Sequence, residues 1–194
     1  MTMSKGRLEA FSDGVIAIII TIMVLELKAP HSADPRALAP LFPVFLSYLL
    51  SYVYVGIYWN NHHHLLQAAR HVNGRILWAN LHLLFWLSLV PFVTAWMGEN
   101  FAALPVSLYG VVLLLAAVAY NLLSRALIAH HPGDSALAVA IGRDFKGWVS
   151  VVLYAAAIPL AFASPALACA MYVVVALTWL IPDRRIERLA ERQP

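Results

Sequence analysis

The chain alternates long apolar stretches with short polar ones, and the apolar stretches number six. Crossing about 30 Å of hydrocarbon takes roughly 20 helical residues at about 1.5 Å per residue. The first four stretches have about that length, and the last two are shorter. The pattern therefore predicts one transmembrane domain, residues 1–194, with helices over about residues 7–28, 41–61, 76–97, 104–125, 146–162 and 165–181. We expect kinks at Pro91 and Pro159, since proline removes a helical hydrogen bond.

Composition supports lipid as the solvent of this chain. Hydrophobic residues make up 62% of the sequence and charged residues 12%, and the mean hydropathy is +0.75. These values lie outside the usual range of soluble domains. The predicted fold class is an all-α polytopic membrane protein. The predicted connections are too short to hold a soluble catalytic domain, and the sequence contains no phosphate loop, nucleophile elbow or H-E-x-x-H motif. An enzyme is therefore not predicted.

The basic residues predict an orientation. Six spans place both termini on one side, with eleven of the 13 Lys and Arg residues there and only Lys28 and Arg36 opposite. Positive loops face the cytoplasm, so both termini should be cytoplasmic. The net charge of +3 then reflects membrane orientation. Because no basic stripe is interleaved with exposed aromatics, nucleic acid is not an expected partner.

The first predicted helix has two different sides. At about 100° per residue, one strip carries Gly14, Ile18, Thr21, Ile22 and Leu25. Ser12 and Asp13 point more than a quarter turn away from this strip. We therefore expect the apolar strip and the polar end of this helix to have different roles.

Asp13 is the residue of this helix that is least favourable to place inside a membrane. An ionised carboxylate inside a span costs roughly 2.5–3.5 kcal/mol even on lenient insertion scales, so it should meet donors on other helices or line water. An interhelical polar cluster is one interpretation, with donors drawn from Arg7, Ser12, Trp78, Asn80 and His62 to His64. The alternative is that Arg7 and Glu9 reach the interface while Asp13 caps local backbone.

The same residues carry a family resemblance. Arg7-Leu8-Glu9-Ala10-Phe11-Ser12-Asp13 and the run that follows to Thr21 resemble the R-x-x-x-F-S-D signature and first pore helix of the transmembrane protein 175 family. That family comprises potassium channels of endolysosomes and, in six-span form, of bacteria. The likeness continues in Trp59-Asn60-Asn61-His62-His63, Trp78-Ala79-Asn80 and Pro91-Phe92-Val93-Thr94.

The resemblance implies a potassium channel. It implies a homotetramer in a bacterial cell membrane, whose partners are lipid, three further copies and permeant potassium ions, without a cofactor. The family's constricting isoleucine matches Ile18 and its selectivity-linked threonine matches Thr21, and the strip adds Ile22 and Leu25 to the expected pore lining. The polar signature network is expected to comprise Arg7, Phe11, Ser12, Asp13, His63 and Asn80. The T-V-G-Y-G filter is absent from the sequence, as in that family.

Two alternatives remain open. A proton-permeable or weakly selective cation channel is one, because Asp13 and the histidines can titrate. A histidine-based metal transporter is the other, suggested by His62 to His64, His71 and His82. Adjacent histidines on a helix point about 100° apart, which disfavours a shared metal ion. Cys169 is the single cysteine, so a Cys-based metal framework is excluded.

Overall fold

The structure is a computed structural model that describes residues 4–131 and 145–180. Within these residues all regular elements are helical, which confirms the all-α class. A 3-10 helix, Pro35–Leu41, precedes the second of seven α-helices. These are α1 (Lys5–Leu25), α2 (Phe42–Ala68), α3 (Gly74–Ser88), α4 (Val90–Glu99), α5 (Ala103–His130), α6 (Phe145–Ala163) and α7 (Pro165–Leu180).

Five helical stretches are long and apolar enough to cross a membrane. They are Lys5–Leu25, Pro35–Ala68, Gly74–Glu99, Ala103–His130 and Lys146–Ala163. The sixth, α7, has 16 residues and is the shorter arm of a tight hairpin with α6. Its length of about 24 Å, at 1.5 Å per residue, falls somewhat short of the hydrocarbon thickness. The chain is thus a multi-pass membrane protein.

Several helix boundaries differ from the sequence expectation, and α5 continues to His130 instead of ending near residue 125. The third predicted span is divided at Leu89 into α3 and α4, because Pro91 has no N–H to donate to the carbonyl of Leu87. By contrast, α6 continues through Pro159 without interruption. The second span extends to Ala68 instead of ending near residue 61, because His62, Leu65 and Leu66 are buried against the other helices.

Helix α5 forms the centre of the protomer and packs against α3, α4, α6 and α7. Buried Tyr109 of α5 lies near three buried tyrosines of neighbouring helices, namely Tyr54, Tyr154 and Tyr172. Tyr54 donates to the carbonyl of Tyr172 at 2.6 Å, and Tyr172 donates to the carbonyl of Val106 at 3.1 Å. A side chain at Gly110 would overlap the hydroxyl of Tyr172. The hydroxyls of Tyr54 and Tyr172 are therefore paired, as hydrocarbon surroundings require.

A second set of hydroxyls joins α2, α4 and α5. Ser51 Oγ lies 3.0 Å from the hydroxyl of Tyr109 and 2.6 Å from Oγ1 of Thr94. Thr94 also lies 2.7 Å from the carbonyl of Val90, one turn earlier in α4. Because interhelical hydrogen bonds stabilise membrane bundles by about 0.6 kcal/mol on average, this set adds modest but directional support to the packing.

Helix α1 lies at the periphery. It packs on α2, α3 and α4 through one side only. That side consists of residues spaced three or four apart, namely Leu8, Ser12, Ile16, Ile19 and Met23. The opposite side of α1 remains exposed in the protomer.

Candidate pore helix and its polar anchor

The exposed side of α1 carries the residues that the sequence predicts to line a pore. Ile18 is 58% exposed, Ile22 43% and Leu25 73%, and Thr21 is exposed as well. Isolated exposed apolar residues are ordinary, whereas a continuous strip along a whole helix indicates a surface with a further partner. The structure thus places the predicted pore residues on one side and leaves them free of the protomer's own core.

Thr21 is oriented by its own helix. Its hydroxyl donates to the carbonyl of Ile18 at 2.9 Å. Since the hydroxyl hydrogen is used in that bond, the lone pairs of Oγ1 are available to other groups. Two turns nearer the N-terminus of α1, Gly14 leaves open space, and a methyl group there would meet no atom of the described residues within 4 Å. The strip therefore combines apolar side chains with one hydroxyl oxygen that has free lone pairs.

The opposite side of α1 is held by a buried polar anchor, which we define as Ser12, His62 and Asn80. Ser12 donates to the carbonyl of Leu8 at 2.8 Å and accepts from the Asn80 amide at 2.9 Å. The Asn80 Oδ1 atom lies 2.6 Å from His62 Nε2, so His62 donates there. All three side chains are almost fully buried. The polar anchor thus joins α1, α2 and α3 at one depth.

Asp13 makes a separate contact. Trp59 of α2 donates its indole N–H to Asp13 Oδ1 at 3.0 Å. The indole ring stacks on His63, with ring centroids 6.0 Å apart. The carboxylate therefore has a donor on a neighbouring helix, at the exposed edge of the packed helices, which satisfies part of its hydrogen-bonding capacity.

The predicted signature residues are only partly brought together. Ser12 and Asn80 are bonded directly, but the histidine that reaches Asn80 is His62, and His63 meets Trp59 instead. Arg7 and Phe11 lie on the exposed side of α1, with Phe11 51% exposed. These two residues are therefore not members of the buried anchor within the protomer.

Trp59 was not among the predicted network residues, and His62 was expected only as one possible donor for Asp13. Trp59 and His62 belong to the stretch Trp59-Asn60-Asn61-His62-His63, which carries the resemblance but was expected to end the second span. Trp78, considered as a donor for Asp13, is instead strongly exposed. Polar residues at the end of an apolar helix can still lie on its packed side, as His62 does.

The histidines form no metal centre in the part of the chain that the structure describes. No group of three or more His, Cys, Asp or Glu side chains there could hold an ion. His62 donates to Asn80 Oδ1, and His82 accepts from the indole of Trp86 at 2.9 Å. Their chemistry is therefore hydrogen bonding between helices or along one helix.

Comparisons with known proteins agree with this geometry. The family described as "Endosomal/lysosomal potassium channel TMEM175" matches residues 7–91. A protein of Chryseobacterium sp. (strain P1-3), named a potassium channel, is 54% identical over 187 residues, which cover 96% of this chain and 97% of that protein. The human protein named endosomal/lysosomal proton channel TMEM175 is 38% identical over 80 residues, which cover 35% of this chain and 16% of that protein.

A solved structure extends the likeness to the fold. The crystal structure of a lysosomal potassium-selective channel TMEM175 homologue from Chamaesiphon minutus matches with a TM-score of 0.76 and 30% sequence identity. The match covers 91% of this chain and 96% of that chain. The family indicated by the first helix is thereby confirmed, and it is a family of ion channels and not of enzymes. The chain belongs to the TMEM175 family.

Proposed function

We propose that this protein is a potassium-selective cation channel whose pore is lined by α1. The observation that carries the proposal is the exposed strip of Ile18, Thr21, Ile22 and Leu25 on a helix whose other side is anchored. Relatives from three bacteria that are named potassium channels support the choice of ion. Multi-pass membrane insertion follows from the apolar helices.

Four copies complete the pore in this proposal. A cyclic homotetramer brings four identical strips around one axis, since closed symmetric assemblies repeat the same contact. Rings of Ile18, Ile22 and Leu25 then narrow the path, and narrow apolar rings close a channel by dewetting. The Thr21 oxygens replace part of the hydration shell of a potassium ion when the rings widen.

The polar anchor keeps the pore helix in register. Rotation of α1 by one residue, about 100°, would withdraw Ile18 and Thr21 from the axis. The Ser12–Asn80–His62 bonds oppose such rotation, because they join α1 to two neighbouring helices at one depth. Asp13 and Trp59 add a second point of attachment.

We place the channel in a bacterial cell membrane with both termini in the cytoplasm. The distribution of Lys and Arg supports this orientation. The Lys5 ammonium also donates to the carbonyl of Gln67 at 2.9 Å, so the start of α1 lies beside the end of α2 on the same side of the membrane.

The central experiment measures potassium and sodium flux from proteoliposomes, together with the oligomer mass of the same sample. Ile18→Asn should raise cation flux by about tenfold or more, because lowering a barrier by about 1.4 kcal/mol suffices for that change. Leu177→Asn is the matched control, since it makes the same kind of change at an exposed position of α7. That control should leave flux unchanged.

Thr21→Val tests selectivity. It preserves the shape of the side chain but removes the oxygen, so the preference for potassium over sodium should fall while total cation flux persists. Unchanged flux in Ile18→Asn together with unchanged selectivity in Thr21→Val would reject α1 as the pore helix. A monomeric mass with normal flux would reject the tetramer.

A second candidate is a proton-permeable channel. It is favoured by the vertebrate relatives named proton channels, which match about 80 residues of this chain. Asp13 is a titratable group on α1, one position before Gly14 of the exposed side. Proton flux driven by a pH gradient, measured without potassium, separates the candidates, because a potassium-selective pore leaves the gradient intact.

A further inference from the structure

The connection between α2 and α3 is fastened to the end of α5 by two neighbouring histidines. His131 Nε2 lies 3.2 Å from the backbone nitrogen of Arg70 and 3.2 Å from that of His71. Its Nδ1 lies 2.9 Å from the carbonyl of Leu127. Since backbone N–H groups donate and the carbonyl accepts, Nε2 is bare and Nδ1 carries the hydrogen.

His130 makes a matching contact. Its Nδ1 lies 3.0 Å from the Asn73 side-chain nitrogen. The other side-chain atom of Asn73, Oδ1, accepts from the backbone N–H of Ile76 at 3.0 Å and caps α3. That bond fixes the orientation of the Asn73 amide, so its NH₂ group donates to His130. We call the contacts of His130 and His131 with residues 70–73 the histidine latch.

The histidine latch requires both rings to be neutral. Each ring accepts a hydrogen bond through a bare nitrogen, and a protonated imidazole carries hydrogens on both nitrogens and accepts none. Protonation of both rings would therefore set N–H groups against the donors of Arg70, His71 and Asn73. Histidine is the side chain that ordinarily changes charge between pH 5 and 8.

The surroundings of the latch are mostly basic. Among residues 4–131 and 145–180, the charged and titratable side chains at this end of the packed helices are Lys5, Arg7, Glu9, Asp13, His62, His63, His64, Arg70, His71, Arg75, Arg125 and Lys146. The carboxylates of this group are Glu9, which lies 3.6 Å from Lys5, and Asp13, which accepts from the indole of Trp59. A charged latch would consequently meet repulsion from its neighbours in addition to losing its acceptors.

The latch lies on the same structural unit as the polar anchor. Asn73 caps α3, and Asn80, two turns later on α3, bonds to Ser12 of α1. His62 of the anchor lies on α2, which ends at Ala68 just before the latched residues. Release of the connection would therefore loosen the two helices that hold α1.

We propose that the histidine latch is a proton-sensitive regulatory element, which opens when the side of the membrane carrying the chain's N-terminus is acidified and thereby loosens the hold on α1. The predicted consequence, which rests on the proposed function, is a larger potassium flux at acidic pH on that side. The latch itself does not depend on which ion is conducted.

The test of the latch is hydrogen exchange in the full chain, in lipid nanodiscs at pH 7.5 and 5.5, corrected for intrinsic exchange rates. Protection of the Arg70 and His71 amides should fall at least tenfold at pH 5.5. His131→Gln retains an N–H for Leu127 and an oxygen for the two amides but does not titrate, so its protection should be equal at both pH values. His64→Gln is the control and should respond like the original chain.

Potassium flux on the same variants tests the regulatory step. Acidification should raise flux in the original chain and in His64→Gln but not in His131→Gln. Equal protection at both pH values in the original chain would overturn the latch. Lost protection without increased flux would overturn its coupling to α1. Lost protection in a protein that passes no potassium at any pH would support the latch and refute the channel.

Discussion

The polar anchor can be tested by replacing Asn80 with leucine. Asn80→Leu keeps a side chain of similar volume but deletes the bonds to Ser12 and His62. Ser12 retains a partner, because it also donates to the carbonyl of Leu8. His62, 1% exposed, is left with a buried N–H that has lost its acceptor. The variant therefore removes two hydrogen bonds between helices and leaves one buried donor without an acceptor.

The magnitude follows from these contacts. Each interhelical hydrogen bond contributes about 0.6 kcal/mol in a membrane bundle. An orphaned buried donor costs a further 1–3 kcal/mol, approximately. We expect Asn80→Leu to lower the free energy of unfolding by about 2–4 kcal/mol. For a chain of this size, 1 kcal/mol shifts the melting temperature by about 2–4 °C, so the expected shift is about 5–15 °C.

Thermal unfolding in detergent, followed by tryptophan fluorescence, provides the measurement. Asn121→Leu is the matched control, because among the described residues the Asn121 amide donates within α5, to the carbonyl of Ala117 at 3.1 Å. The control should lose less than about 1 kcal/mol, as expected for one local bond.

A double substitution makes the reasoning refutable. Adding His62→Leu to Asn80→Leu removes the orphaned donor, so the double variant should be more stable than the sum of the single losses by about 1–2 kcal/mol. Two results would show that the anchor contributes no coupled stability. One is a double variant whose loss of unfolding free energy equals the sum of the single losses, and the other is an Asn80→Leu variant with the melting temperature of the original chain.

Two further substitutions probe other contacts. Gly110→Ala should destabilise the protomer by about 1–3 kcal/mol in detergent unfolding, because the added methyl group overlaps the hydroxyl of Tyr172. Gly56→Ala, in open space among the described residues of α2, should instead stabilise by about 0.5–1 kcal/mol, and equal effects would contradict the packing argument. Trp59→Phe keeps the aromatic ring but removes the donor to Asp13, so the melting temperature should fall by a few degrees, and an unchanged value would mean that this bond is energetically neutral.

The two sides of α1 could be deduced from the sequence because helical periodicity alone separates them. Residues three and four apart share a side whatever the neighbouring helices are. Ser12 on the packed side and Ile18 on the exposed side follow directly from this rule. Pore lining by α1 stays a prediction, since the protomer shows which side is free and not what covers it.

The partners of α1 and the end of α2 could not be deduced in the same way. Asp13 and Trp59 are 46 positions apart, and Ser12 and Asn80 are 68 apart. Local propensity carries no information about such pairings. The polar residues after Trp59 are typical of a helix end. However, α2 continues, because His62 forms a hydrogen bond with Asn80 on α3. The end of α2 therefore depends on a hydrogen bond between residues that are distant in the sequence.

The attachment of α1 through one side gives its residues unequal freedom to vary. A change at Ile16 or Met23 disturbs the folded subunit, since both are buried against it. A change at Ile18 or Leu25 alters a surface that the subunit does not need for its own folding. If α1 lines the pore as we propose, variants at these exposed positions would change permeation while the other helices that the structure describes keep their packing.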